Sequence, residues 1–413
     1  MLRLSLLAVL LVAAAAGAEP GMDDLFPTEA GTWWVYLVDG RGVTEAGEEY
    51  EIRGISCLMV TSTRSATGLT YVDTRQDRRI AAISGGDTLD VLSGTESVTY
   101  ACRDNTVFQV TSESRGTGIR LFRFPLEVGD SWTVDDRPDA AVFTVDSLME
   151  VFPTAAGEMG PAWLVTRDGA PTVLVEGVGQ VYKEDRFSRS GGTEVYRYTL
   201  ADCSLLEAPV LAETDSAPAM PELFPCPKGA SWEYTLSGAG SVGEGMDVRV
   251  TGSGRRWVEG VVEHLGGTPL VLVKLESSIR MELPGGGVDS SRHVTAELFA
   301  AGPEGDVLSL MSPMDRDPVL YLPADGADAP DWTCRTDGVD WECTAASVAG
   351  EVEVPAGSWS GCLSLQGFAE DAGRSRETML APDVGPVRAV MNMPVGEGSV
   401  ETVMDLVGFS LSR

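Results

Sequence analysis

A chain of 413 residues, 43% of them hydrophobic, has room for two or three cored domains and is too apolar to be disordered. Its formal net charge of −32 repels phosphate backbones and anionic bilayers, which excludes nucleic acid as a partner. Turn dipeptides such as Asp39-Gly40 and Asp168-Gly169 recur, as expected of many short elements joined by tight turns.

The first predicted element is a secretory signal peptide at residues 1–18: an early Arg3, an apolar run from Leu4 to Ala16, and small residues before a cleavage point after Ala18. The run is shorter than the roughly 20 apolar residues of a spanning helix, and no later stretch approaches that length. No cysteine follows the cleavage point, so lipid attachment is not expected. The mature chain is expected to be exported, to the periplasm or the medium.

A first β domain is predicted over 19–210. It opens on DLFPTEAGTWWVY, in which Phe26, Pro27, Gly31, Trp34 and Tyr36 stand out. Proline fixes a dihedral before the turn, glycine takes conformations closed to other residues, and Trp34 and Tyr36 share one face of a strand. Trp33 points to the other face. A second copy of the device follows as Phe124, Pro125, Gly129 and Trp132. Strand-like runs lie at Ala141–Phe152 and at Glu194–Leu200, where Tyr196, Tyr198 and Leu200 share a face, and GVGQV occupies 177–181.

Residues 211–221 have the proline, alanine and acid content of a linker. A second β domain is predicted over 222–413, because its opening ELFPCPKGASWEY aligns without gaps on the first at an offset of 198 residues. Phe224, Pro225, Gly229, Trp232 and Tyr234 match the first copy, Leu322-Pro323 ahead of Trp332 is a degraded inner copy, and DVGPV at 383–387 answers GVGQV. Asp247–Gly254 and Thr268–Ser278 read as strands. The fold class predicted is all-β: two homologous antiparallel domains, each an open or partly closed barrel or half-barrel. Repetition favours a structural role for the motif, an aromatic anchor opening each domain. The functional alternative is an aromatic floor for a sugar or lipid.

The order FPxxxGxxWxY, then FPLxxGxxW, then VGxV resembles a large, poorly characterised family of secreted bacterial proteins, many of them lipoproteins, across both halves of the chain. That family is distantly similar to the curved half-barrels of periplasmic lipoprotein carriers. The resemblance implies a sheet wrapped around a concave apolar face. The chain departs from it in the degraded inner motif at Leu322–Trp332 and in the missing lipobox, so membrane tethering is not carried over.

Seven cysteines in an exported chain predict disulfides. A two-residue loop at Gly338-Val339 would set Cys334 opposite Cys343, and a Cys203–Cys226 bridge would staple the linker. Cys57 and Cys102 are possible partners, leaving Cys362 as the odd thiol. No metal or cofactor is expected. CxxC is absent and the histidines are His264 and His293, which disfavours zinc. Asp315, Asp317, Asp325, Asp328 and Asp331 offer oxygen ligands for calcium without the DxDxDG pattern, and read as solvated turns. HExxH and GxSxG are missing. The expected function is a secreted, non-enzymatic binding protein of the bacterial envelope, its ligand apolar or extended, or a protein. A carboxylate-dependent hydrolase and a structural surface component are the alternatives.

Overall fold

The computed structural model describes residues 22–66, 68–110, 118–134, 140–189, 192–206, 218–243, 246–264, 267–315, 318–336, 339–395 and 397–411. The predicted signal peptide, most of the predicted linker, Asp317 and Gly338 lie outside them. Among the described residues no helix is long and apolar enough to cross a membrane.

A four-residue helix, α1 (Met22–Leu25), leads into the strands. The first set comprises β1 (Trp33–Val43), β2 (Glu49–Ala66), β3 (Leu69–Ser84), β4 (Asp87–Arg103), β5 (Thr106–Val110), β6 (Gly118–Arg123) and β7 (Ser131–Thr133). It continues through β8 (Val142–Met149), β9 (Phe152–Thr154), β10 (Gly157–Met159), β11 (Ala162–Arg167), β12 (Ala170–Val175), β13 (Gly179–Arg189) and β14 (Gly192–Cys203). The second set begins with β15 (Ser231–Ser241), β16 (Asp247–Glu263), β17 (Pro269–Glu282), β18 (Val288–Ala301), β19 (Val307–Leu310), β20 (Val319–Leu322) and β21 (Trp332–Thr336). It ends with β22 (Val339–Ser347), β23 (Glu351–Val354), β24 (Gly357–Ser360), β25 (Leu363–Ala369), β26 (Arg374–Ala381), β27 (Gly385–Val395) and β28 (Gly398–Ser410).

Every ladder is antiparallel, and the ladders form two rings. In the first, β1 pairs with both β2 and β14, so the sheet returns on itself. Between β6 and β7 the ladder gives way to a seam, bridged by the Arg120 amide donating to the Val134 carbonyl at 3.0 Å and the Trp132 indole donating to the Leu121 carbonyl at 3.2 Å. In the second ring β15 pairs with β16 and β28, and the Trp332 indole donates to the Leu320 carbonyl at 3.0 Å across the seam between β20 and β21. The hairpins β9–β10 and β23–β24 form separate two-stranded sheets. The all-β, antiparallel, partly closed architecture is therefore the one expected from the sequence.

The sheet does not stop between the rings. β2 pairs with β18 from Ser62↔Thr295 to Ala66↔Ser291, and Trp33 and Met59 share a buried cluster with Leu270, Leu272 and Leu298. Trp33, expected on the opposite face from Trp34, is thus buried as well. Polar groups cross the same boundary. Lys274 is 5% exposed and its ammonium donates to Glu29 at 2.7 Å. Gly31 has φ +90°, and a Cβ there would stand 2.9 Å from Lys274 Cε, so only glycine suits both its backbone and its neighbour.

Arg75 sits between two low-exposure carboxylates, Asp77 at 3.3 Å and Asp315 at 3.5 Å, while the Ser312 hydroxyl donates to Asp77. Removing the shared cation leaves both acids desolvated without it. Arg75→Met is accordingly expected to cost about 3–5 kcal/mol in urea unfolding, against under about 1 kcal/mol for an exposed pair such as Arg53–Glu51. A cost at the exposed-pair level would show that the junction does not depend on this ion pair.

The cysteine expectations need correction. All seven are buried thiols. The loop expected at Gly338-Val339 falls partly outside the described residues, but Thr336 pairs with Val339, and this register sets Cys334 opposite Trp341 and Cys343 opposite Trp332. The two sulfurs lie 3.4 Å apart, in contact but unbonded. Cys203 and Cys226 belong to different core clusters, one in each ring, so the interdomain staple is absent.

Candidate functional site

The motif residues act first on their own ring. The Trp34 indole donates to the Val178 carbonyl at 2.7 Å and the Tyr36 hydroxyl to the Gln180 carbonyl at 3.0 Å. In the second ring Trp232 donates to Val384 at 2.7 Å and Tyr234 to Pro386 at 3.0 Å. The acceptors are the GVGQV and DVGPV segments. Gly179 and Gly385 have φ near +90° and face Pro27 and Pro225, whose Cδ atoms would be 2.9 and 3.4 Å from an added Cβ. Each copy therefore fastens the opening strand to a glycine turn at the start of the penultimate strand, while Trp132 and the degraded copy's Trp332 close the seams.

The phenylalanines at the head of the motif diverge. Phe224 is fully buried, 4.9 Å from Phe299 and 5.2 Å from Tyr321, centroid to centroid. Phe26 is only half-buried. It stands 5.3 Å edge-on to Tyr100 and 6.5 Å from Phe122, and with them lines a cleft of about 470 Å³ in the first ring. Phe143, stacked on Trp132 at 5.5 Å, continues this aromatic wall. A further recess of about 60 Å³ shares Phe26, Tyr100 and Gln180 with the cleft and is completed by Leu25, Trp34, Leu58, Val60 and Val72.

Charge enters the cleft from β13 and β11. Strand alternation carries Val181 into the core and brings Lys183 and Asp185 to the cleft on the same side. They pair at 2.9 Å, with the Lys183 ammonium 5.9 Å from the Tyr198 ring centre. Arg167, opposite Phe143 in the ladder, lies with its guanidinium 5.8 Å over that ring. Arg78 pairs with Glu96, and both bear on Tyr198. Burial pushes the Tyr100 phenol up to about 12 and raises Tyr198 as well, with Asp185 adding to the latter. Tyr100, which lines the cleft, stays protonated and can donate. The site thus offers an aromatic wall, an ion pair and one phenolic donor around an open volume.

Of the motif residues, Phe26 lines both the cleft and the recess, and Pro27, Trp34 and Tyr36 line the recess. Phe224, Trp232 and Tyr234 are core. Phe124 and Trp132 are also core, while Pro125 and Gly129 are surface turn residues. Sequence reasoning missed Lys183, Asp185, Tyr100, Phe122 and Phe143. A signal was present at 181–187, VYKEDRF, where one strand face runs from valine to a lysine and an aspartate. The aspartates weighed for calcium do not converge. Asp315 is buried and accepts from the Met311 amide at 3.0 Å, and among the described residues no group of three His, Cys, Asp or Glu is placed to hold a metal.

No protein-family model and no curated protein matches the chain. Among solved structures, it is similar to an exported protein with a YMCC-like fold from Bacteroides fragilis at 13% identity and TM-score 0.25, over 46% of this chain and 98% of that one. A lipoprotein from Parabacteroides distasonis matches at 12% identity and TM-score 0.20, over 46% and 99%. Kievitone hydratase from Nectria haematococca matches at 10% identity and TM-score 0.12, over 95% and 94%. Nothing about what this chain does follows from likenesses of this size.

Proposed function

We propose that this is an exported, non-enzymatic binding protein that holds a small amphipathic ligand in the cleft of its first ring. The leader-like sequence of residues 1–18 supports export, and two halves built from one duplicated unit account for the paired motifs. The observation that carries the reading is the contrast at equivalent phenylalanines. Phe224 is closed over by Phe299 and Tyr321, whereas Phe26 faces a volume within the range of small-ligand sites, under a rim of paired charges. Aromatic surface suits an apolar body, and Lys183, Arg167 and the Tyr100 phenol suit a polar head.

Fluorescence titration with anilinonaphthalene sulfonate, an amphipathic anion, tests it. Saturable binding is expected, weakened roughly tenfold by Lys183→Ala and by Phe26→Ala, since a charge-assisted hydrogen bond and a buried aromatic contact are each worth about 1–3 kcal/mol. Absence of saturable binding, or affinity unchanged from the parent chain in both variants, would sink the cleft. One observation favours the assembly reading instead: the first half of β4 is exposed on both faces and presents Leu89, Val91 and Leu92. Oligomers that dissociate on Leu89→Lys, without saturable dye binding, would support it.

A further inference from the structure

On the second ring, β22, β25 and β26 lie side by side, and their registers place Cys343, Gly367 and Arg376 in one row. Cys334 reaches this row diagonally from β21, its sulfur 3.4 Å from that of Cys343. The Arg376 guanidinium donates to Cys334 Sγ at 3.3 Å and lies 4.4 Å over the Trp341 ring. Its path is the gap left by the missing side chain of Gly367. A Cβ there would stand 2.9 Å from Arg376 Nε and 3.2 Å from Trp341 Cε3. Gly367 has no positive φ to explain it, so the room it makes is its evident purpose.

We propose that Cys334 and Cys343 form a reversible dithiol–disulfide couple, with Arg376, admitted by Gly367, positioned to hold one sulfur of the pair as the attacking thiolate. Two sulfurs in contact share one proton, so one thiol donates to the other's thiolate. A cation fixed against the pair favours that singly ionised form. The bond between the sulfurs, helped by Arg376, pulls one thiol of the pair down, while the same bond and burial push the other up. Arg376 is the charged side chain that bears on both sulfurs, and Tyr321 bears on Arg376 in turn.

The oxidant is an external disulfide, either glutathione disulfide or an exchange-active protein disulfide. The thiolate of the pair attacks one of its sulfurs, forming a mixed disulfide and expelling a thiolate that takes up a proton. The other cysteine then loses its proton to solvent and attacks the first cysteine's Sγ, which releases the second thiol. Two protein thiols and one disulfide become one protein disulfide and two thiols. Because β21 borders the seam of the ring, the bond would tie the seam strand to β22.

The test uses the full chain, reduced and then equilibrated without oxygen in glutathione buffers of graded redox ratio, with acid trapping, alkylation and peptide mapping by mass spectrometry. A Cys334–Cys343 bridge is expected to form and to be reversed within the range of such buffers, and Cys334→Ser and Cys343→Ser are each expected to trap glutathione on the remaining cysteine. Arg376→Gln is expected to slow bridging about tenfold near neutral pH and to move the pH midpoint of the rate up by at least about one unit, towards an ordinary thiol. Gly367→Ala should do the same with the arginine intact, a result that a merely structural glycine would not give. A bridge that never forms, one that no glutathione ratio reduces, or unchanged rate profiles in both variants would overturn the proposal.

Discussion

Replacing Trp232 with alanine is expected to remove about 4–6 kcal/mol of unfolding free energy. Truncating a buried tryptophan costs about 3–5 kcal/mol in lost burial and cavity. The Val384 carbonyl, left without the indole donor 2.7 Å away, adds about 1–3 kcal/mol, less whatever relaxation recovers. The side chain is fully buried and also forms one of the two ring faces, with Phe224, that Arg256 lies against, at 5.0 Å. Trp232→Phe separates the contributions: it keeps most of the apolar area and loses the donor, for an expected cost of about 1–3 kcal/mol. Urea unfolding followed by circular dichroism measures both. A loss for Trp232→Ala below about 1 kcal/mol, the level of an unremarkable surface change, would mean that the motif does not hold the second ring together.

The same motif shows what the sequence could and could not convey. Two-residue alternation of Trp and Tyr announced a buried strand face, and glycine spacing announced the turn, because both are local properties of the backbone. The partner of that face was visible only as another recurring string. That GVGQV accepts from Trp34 and Tyr36 depends on where β13 returns, 144 residues later. The divergence of Phe26 from Phe224 was illegible for the same reason, since it is decided by Phe299 and Tyr321 in one ring and by the open wall of Tyr100 and Phe122 in the other. The joining of β2 to β18 is a matter of edge register between distant strands, for which five residues such as Ser62–Ala66 carry no distinctive pattern. The cysteine hairpin turned on the strand register, a property of how β21 and β22 pair, which sets Cys334 facing Trp341 and not Cys343.

The second large effect concerns alkaline pH. Burial raises the pKa of Tyr36 and Tyr234 far above the ordinary phenol value of 10.0, and it raises the Cys57 thiol strongly from 9.0 and Cys203 to about 12. All four are nearly inaccessible to water in the folded chain, so ionising them in place is opposed by desolvation. In the unfolded chain they lose their protons at ordinary values. Between the unfolded and folded pKa the unfolded state binds one proton fewer per group, so stability falls as pH rises. The contribution is intact below about pH 9 for the thiols and pH 10 for the phenols, and is lost above those values towards the folded pKa. Each group contributes a slope of about 1.4 kcal/mol per pH unit, so the four together contribute about 5 kcal/mol per unit between roughly pH 10 and 12. That window removes about 10 kcal/mol, so within a typical total stability of about 5–15 kcal/mol all but the most stable chains would unfold cooperatively by about pH 12. Circular dichroism and phenolate absorbance recorded on one alkaline titration should change together. Tyr234→Phe removes one of the four protons and should flatten the dependence by about a quarter, even though the hydrogen bond to Pro386 is lost. Buried phenols that ionise near pH 10 in a chain still folded by circular dichroism would show that the two rings admit water where the packing around Tyr36 and Tyr234 leaves it no room.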